Sequence, residues 1–399
     1  MNFATLSLGY LRARGLNAAL NVTLLALGIA TITLLLLVTH QLEERMMRDA
    51  RGIDLVAGAK GSPLQVILSA VYHLDVPTGN IPLGQAQEIA RHRMVKKAIA
   101  LALGDSYKGF RIVGTSHDYL AHYGAKPAAG RLWQKPMEAV IGAEVAQRTG
   151  LGVGASFTGA HGIAEAGSGH DEAPYTIVGV LAASGSVLDR LVLTGVESVW
   201  AVHDGHRDKG APAPTGEDGR QITALLIQYA TPLAVALLPR YINGNSEMQA
   251  ASPAYETARL FGLIGVGVDV LRGFALVLIF SAGLSVFIAL YNALNERRYD
   301  LAVMRTLGAS RGKLMRLMLF EGVLLAFVGA VLGIALGHAL TEALGGMLQA
   351  ARQAAVTGWI WVPAESWLIA LALAVGVLAA LLPAWGAYRT DLARTLAQG

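Results

Sequence analysis

Cysteine is missing from all 399 residues, and Asp, Glu, Lys and Arg together make up only 15% of the chain. The first absence excludes a disulfide-stapled secreted scaffold. The second is well below the roughly 25% charge of ordinary soluble domains, which makes lipid part of the solvent. The 46 glycines follow no Gly-X-Y period, and a 54% hydrophobic content excludes disorder. No G-x-x-x-x-G-K-[ST] phosphate loop occurs. Gly312-Lys313 lacks both the upstream glycine at the required spacing and the following Ser or Thr. Ser, His and Asp occur in the long stretch 41–272, but no G-x-S-x-G elbow does, so hydrolytic catalysis has no positive signal there and the chain is read as non-catalytic with no cofactor of its own. A formal charge of +4 gives nucleic-acid binding no support.

Four stretches, 15–40, 273–295, 322–341 and 366–388, lack any Asp, Glu, Lys or Arg. A membrane-crossing helix needs about 20 apolar residues. The first contains NVTLLALGIATITLLLLVT and has no A-x-A cleavage site after it, so it reads as a retained anchor. The third carries Gly322, Gly329, Gly333 and Gly337 at helical spacing, predicting one small-residue stripe for close helix packing.

Lys and Arg in short flanks set orientation. Residues 296–316 hold Arg297, Arg298, Arg305, Arg311, Lys313 and Arg316, whereas 342–365 hold only Arg352. With Arg12, Arg14, Arg389 and Arg394 near the ends, both termini and the 296–316 loop are expected in the cytoplasm. Trp359, Trp361 and Trp367 then mark the outer interface and Trp385 lies near the inner one. The expected division is 1–40 with the first span, a 41–272 outer domain, a span at 273–295, a cytoplasmic loop at 296–316, a third span within 317–341, an outer loop at 342–365, a span at 366–388 and a tail at 389–399. The fold class is a membrane protein of four transmembrane α-helices with a large α+β extracytoplasmic domain inserted between helices 1 and 2.

Within that domain, QLEERMMRDAR (41–51) continues the first helix, and 252–271 forms a helix running into the second span, so two stalks carry it. Val95–Ala102 and Tyr107–Val113 read as strands around a turn at Gly104-Asp105. His117–Tyr123 and Ala143–Arg148 read as short helices, and Tyr175–Leu181, Val196–Val202 and Thr223–Tyr229 as strands. The run Leu64–Val71 is too short to span. It reads as a core helix in preference to a lipid-skimming or dimer-contact segment. His161 and His170 in one polar loop (159–173), and His203 and His206 in another (203–220), are weak candidates for a metal site. Their spacing matches no known ligand motif, and polar loops collect His and Asp for solubility alone. His338 in the third span reads as a packed or interfacial residue in preference to a proton carrier.

The loop NERRYDLAVMRTLGASRGKLMRLMLFEG (295–322) resembles permease subunits of the MacB, FtsX and LolC/LolE class of ABC transporters. LSLGYLRARGLNAALNVTLLALGIA, LPAWGAYRTDLARTL, AAGRLW, VIGAEVAQRTGLGVGASF and YTIVGVLAASGSVLDR agree with it. The resemblance implies a Leu-Gly-Ala-Ser turn, a coupling helix on a separate cytoplasmic ABC ATPase that holds ATP and Mg, and a Glu-Gly entry to the third span. Its residues here are Arg305, Thr306, Leu307, Gly308, Ala309, Ser310, Arg311, Lys313, Leu314 and Glu321. Arg305–Met318 reads as an amphipathic helix, with Met304, Leu307, Leu314 and Met315 as apolar knobs among the basic groups. Glu321 is expected to pair with an arginine of the coupling helix.

The resemblance further implies a bacterial inner-membrane location, a second permease copy, contact with membrane lipid, and a periplasmic adaptor, lipoprotein or substrate-binding protein as possible partners. The outer-domain pieces point to a MacB-like exporter that transmits ATP-driven motion outward. The alternatives are an FtsX-like regulator of a cell-wall hydrolase and a LolC/LolE-like lipoprotein extractor. A ligand or metal sensor without an ATPase is a further alternative, disfavoured because the cytoplasmic pieces are short.

Overall fold

The computed structural model describes residue 9 and residues 15–161, 174–205, 219–350 and 356–389. Arg12, Arg14, Arg352, Arg394, His170 and His206 fall outside that set, as do the side chains of His161 and His203. The chain divides into two compact units, one of residues 1–42 with 264–399 and one of Glu43–Leu263.

In the first unit, four helices are long and apolar enough to cross a membrane. They are α1 (Gly15–Asp49), α8 (Pro253–Glu296), α10 (Arg311–Ala350) and α11 (Glu365–Tyr388), with the short α9 (Arg298–Thr306) between the second and third. In lipid, helices associate through close van der Waals packing, which small residues permit. Gly329, Gly333 and Gly337 of α10 lie directly against Leu25, Ala26, Ile29, Ala30 and Thr33 of α1. A Cβ at Gly333 would sit 2.7 Å from the Ala26 carbonyl oxygen. Gly322 faces Gly376 and Ala380 of α11 instead, so the predicted stripe serves two partners. Leu25, Ile29, Ile279, Ala326, Ala330, Leu368 and Ala372 close the middle of the bundle.

The second unit holds strands β1 (Leu55–Ala59), β2 (Ile81–Pro82), β3 (Val95–Tyr107), β4 (Phe110–Thr115), β5 (Pro127–Gly130), β6 (Glu138–Ile141), β7 (Ser156–Phe157), β8 (Ala160–His161), β9 (Tyr175–Leu181), β10 (Leu191–Gly195), β11 (Gln221–Ile222), β12 (Ala224–Tyr229) and β13 (Met248–Ala251). Its helices are α2 (Pro63–Ala70), α3 (Leu83–Ala90), α4 (His117–His122), α5 (Ala143–Thr149), α6 (Val196–Gly205) and α7 (Ala234–Asn245). The main sheet runs β13-β1-β12-β3-β4-β10-β6-β9-β5. β3 joins its two halves: residues 95–101 pair with β12, and 102–107 with β4. One apolar cluster gathers Leu55, Ile89, Ile227, Leu238 and Ile242; the other gathers Ile112, Ile141, Val145, Tyr175 and Val192.

Two local expectations need correction. The hairpin turn lies at Lys108-Gly109, where φ is +47° and +79°, and not at Gly104-Asp105. Positive φ at both central residues matches the right-handed twist of paired strands. Gly104-Asp105 instead mark a register shift within β3. Val196–Val202 belongs to helix α6, because the preceding residues, Leu191–Gly195, occupy the strand slot between β4 and β6. Leu64–Val71 falls in α2 and the residue after it. Ser62 caps that helix on the Gln65 N–H, Pro63 occupies its first turn, and Val66, Ile67 and Ala70 are buried.

The inserted unit grips the end of α1. The Val187 N–H donates to Asp49 Oδ1 at 2.9 Å, Tyr123 donates to the Asp49 carbonyl at 2.6 Å, and Arg48 donates to the Gly185 carbonyl at 3.3 Å. Free carbonyls at a helix end need such donors. Nearby, Tyr119 and His73 meet at 3.0 Å. Burial and the Arg111 and Arg190 guanidiniums hold His73 well below the usual imidazole range, and so neutral. Tyr72 meets Thr257 of α8 at 2.6 Å, beside a cleft of about 630 Å³ lined by Met47, Ile53, Tyr72, Thr257 and Phe261.

Arg131 clasps Glu138 at the head of β6 through two bonds of 2.6 and 2.7 Å, and the Gln134 N–H adds a third. The Arg131 bond, then the backbone donor, lower the Glu138 carboxyl to about 2. A carboxyl depressed on folding stabilises the fold above its unfolded value of about 4.3 and loses that contribution as pH falls through the folded one. Glu138→Gln is therefore expected to destabilise the protein at pH 6, with the gap to wild type closing between about pH 4 and 2 in urea unfolding monitored by tryptophan fluorescence. An unchanging gap refutes the assignment.

Candidate functional site

The residues joining α8 to α10 form a helical hairpin. Arg305 and Thr306 end α9, and the Thr306 hydroxyl donates to the Val303 carbonyl at 2.8 Å. The chain then turns through Leu307, Gly308 and Ala309. Gly308 has φ +96°, and the Ala309 N–H returns to the Met304 carbonyl at 3.0 Å. A left-handed glycine just past the helix end closes the helix this way. Ser310 starts the next helix, its hydroxyl accepting from the Lys313 N–H at 3.3 Å. The predicted single helix over Arg305–Met318 is thus two helices with a turn between them, because the glycine cannot continue a right-handed ladder at that φ.

The hairpin has a dry side and an exposed side. Leu301, Leu314 and Met318 are buried with Leu294 of α8 and Ala384 and Ala387 of α11, and Met304, Ala309 and Met315 pack against them. Leu314 therefore supports the turn from beneath and cannot touch a partner, and Met304 and Met315 likewise turn inward. Of the four predicted knobs only Leu307 projects, at 82% exposure, with Arg311, Lys313 and Arg316 exposed after it. An exposed apolar side chain on a rigid turn, flanked by cations, suits insertion into a pocket with an acidic rim.

Glu321, 2% exposed, lies one to three turns further along α10 and meets Arg297 at 3.3 Å. The expected partner is an arginine of the coupling helix, 305–318; Glu321 pairs instead with Arg297, which lies before that stretch. Arg297 immediately precedes α9, so the pair ties the hairpin's entry to the third span. Buried charges persist only when paired. Exposed Tyr299 also lies on α9, outside the Leu-Gly-Ala-Ser motif that signals the turn.

Among the described residues, no group of three His, Asp or Glu is placed to hold a metal ion. His338 is packed: Nδ1 lies 2.5 Å from the Gly358 carbonyl, and Nε2 lies 2.7 Å from Glu365. Nothing local in the sequence pairs those residues. The only hint was two ionisable groups at the same end of adjacent spans.

Residues 18–237 match the family model of the MacB-like periplasmic core domain, and residues 272–392 match that of the FtsX-like permease C-terminal domain. Among solved structures, the chain is similar to the periplasmic region of MacB from Actinobacillus actinomycetemcomitans, at 13% identity and a TM-score of 0.34, covering 54% of this chain and 97% of that one. It is also similar to the extracellular domain of the noncanonic ABC-type transporter YknZ from Gram-positive bacteria, at 12% identity and a TM-score of 0.32, covering 50% and 99%. Among curated proteins none matches. The first family model alone spans more than half of the 399 residues, and the second takes up most of the rest, so the chain belongs to the MacB/FtsX family of ABC-transporter permeases.

Proposed function

We propose that this permease carries ATP-driven motion from a separate cytoplasmic ATPase to its periplasmic domain, and so exports or extrudes a substrate from the periplasm or the outer leaflet. The observation that carries the reading is Leu307, an apolar knob held rigid and exposed by a buried cluster beneath it. In this reading the ATPase holds ATP and Mg, the 296–316 hairpin and both termini face the cytoplasm, and a second permease copy completes the unit in a bacterial inner membrane. α1 and α8 each continue without a break from span to inserted unit, which suits them as stalks. The spans are nearly free of central charge, which speaks against a solute path through their middle.

Crosslinked affinity purification of the full chain from native membranes, with mass spectrometry of what comes with it, tests this. An ABC ATPase with a periplasmic adaptor or outer-membrane duct is the expected result. An ATPase with a cell-wall hydrolase, or with a lipoprotein carrier, moves the output to FtsX-like regulation or LolC/LolE-like extraction. Recovery of no ATPase overturns the proposal.

A further inference from the structure

The segment 356–364 between α10 and α11 makes few hydrogen bonds within itself; its polar groups are spent on three helices. On α1, the Gln41 side chain bonds both faces of one peptide residue: Nε2 donates to the Thr357 carbonyl at 2.8 Å, and Oε1 accepts from the Thr357 N–H at 3.0 Å. On α10, Glu342 accepts from the Gly358 N–H at 2.7 Å and from the Thr357 hydroxyl at 2.9 Å. His338, one turn earlier, holds the Gly358 carbonyl through Nδ1. On α11, the fully buried Glu365 accepts from the Val362 N–H at 2.8 Å and meets His338 at 2.7 Å. The Trp361 ring lies parallel to the imidazole, 9° from its plane. Gly358 permits this approach, since a Cβ there would strike the His338 carbonyl.

The protonation of this network follows from its geometry. A carbonyl oxygen only accepts, so His338 Nδ1 carries a hydrogen. Nε2 and Glu365 must then share one more proton to make their contact, as imidazolium with carboxylate or as imidazole with carboxylic acid. Either form leaves the pair neutral overall, which suits a fully buried carboxyl against a partly buried imidazole. The segment is therefore set from outside, by α1 on one flank and by α10 and α11 on the other.

We infer that 356–364 is a strut binding α1 to the third and fourth spans so that they move as one body, with Gln41 as the positioning residue that couples them. The inference rests on the proposed mechanical function. It adds that displacement of α1 is handed laterally to α10 and α11 at this point. The glycine contacts of α1 along α10 hold the same two helices at mid-span, so the strut completes a second line of attachment at the helix end.

The absence of cysteine allows clean spin labelling of the full chain with its ATPase in lipid nanodiscs. One label pair, Leu27→Cys with Ile360→Cys, lies wholly within the first unit and reports on α1 against the strut. A second pair, Val153→Cys with Met347→Cys, reports on the inserted unit against α10. All four residues are exposed. Comparing nucleotide-free with ATP–vanadate complexes by pulsed electron paramagnetic resonance, the second distance is expected to shift and the first to stay fixed. In Gln41→Leu the first distance should become nucleotide-dependent, and the shift of the second should fall about fivefold, the lower end of typical coupling between sites. A first pair that moves in the wild type, or a Gln41→Leu protein matching the wild type in both pairs, overturns the strut alone. A second pair that never moves in the wild type overturns the mechanical function, and the strut with it.

Discussion

Replacing Leu307 by Asp is expected to reduce ATPase binding at least about 30-fold while the chain folds and inserts normally. The side chain is 82% exposed and contributes nothing to the buried cluster under the turn, so its loss costs the fold little. At an interface its position is that of an anchor: one apolar group, held on a φ +96° glycine turn, with arginine and lysine around it. Truncating such anchors typically costs 2 kcal/mol or more, about 30-fold in affinity. A carboxylate adds a desolvation penalty inside any pocket that accepted leucine. Leu307→Met should bind close to normally, because it keeps the volume and apolar character. Titration of the purified ATPase onto each variant in nanodiscs measures this. Wild-type affinity for Leu307→Asp refutes the coupling role. Arg311→Ala, removing an exposed rim charge, should bind more weakly than wild type but less severely, with the loss fading at high salt.

The second large effect concerns Arg297 and Glu321. Arg297→Met takes the guanidinium from a carboxylate that is 2% exposed, and breaking a buried pair from one side costs about 3 kcal/mol or more. That is a large fraction of the stability of an ordinary domain. The double variant Arg297→Met/Glu321→Leu removes both charges and fills the same space with apolar atoms, and such replacements are often neutral. Unfolding in mixed micelles should therefore rank wild type and the double variant together, well above the single one. Equal loss in both variants would mean that the charges matter separately and do not act as a pair.

Much of this fold was legible in the sequence. Runs without charge marked the four long apolar helices, and 41–51 and 252–271, read as helical continuations of two of them, lie within α1 and α8 apart from the last two residues of the first stretch and the first of the second. The Leu-Gly-Ala-Ser turn was expected from the family resemblance alone, and Gly308 at φ +96° supplies its physical reason. What stayed hidden depended on partners distant in the chain. Leu314 read as surface until Leu294 and Ala384 were seen to cover it. Val196–Val202 read as a strand because its apolar content fits one; a five-residue neighbour had already taken the strand's place. Gln41 and Thr357 are 316 positions apart, and nothing in the composition around either residue announces the other.

The seam in the sheet of the inserted unit also bears on how its two cores are joined. Each apolar cluster lies on its own half, and β3 belongs to both. At Gly104 and Asp105 its ladder with β4 is interrupted, and Asp105 pairs with β8 instead. Helix α6 crosses the same seam, with Val196 and Trp200 packed on the first cluster and Val202 buried in the second. The two hydrophobic centres are thus fastened together twice, once by the shared strand and once by this helix.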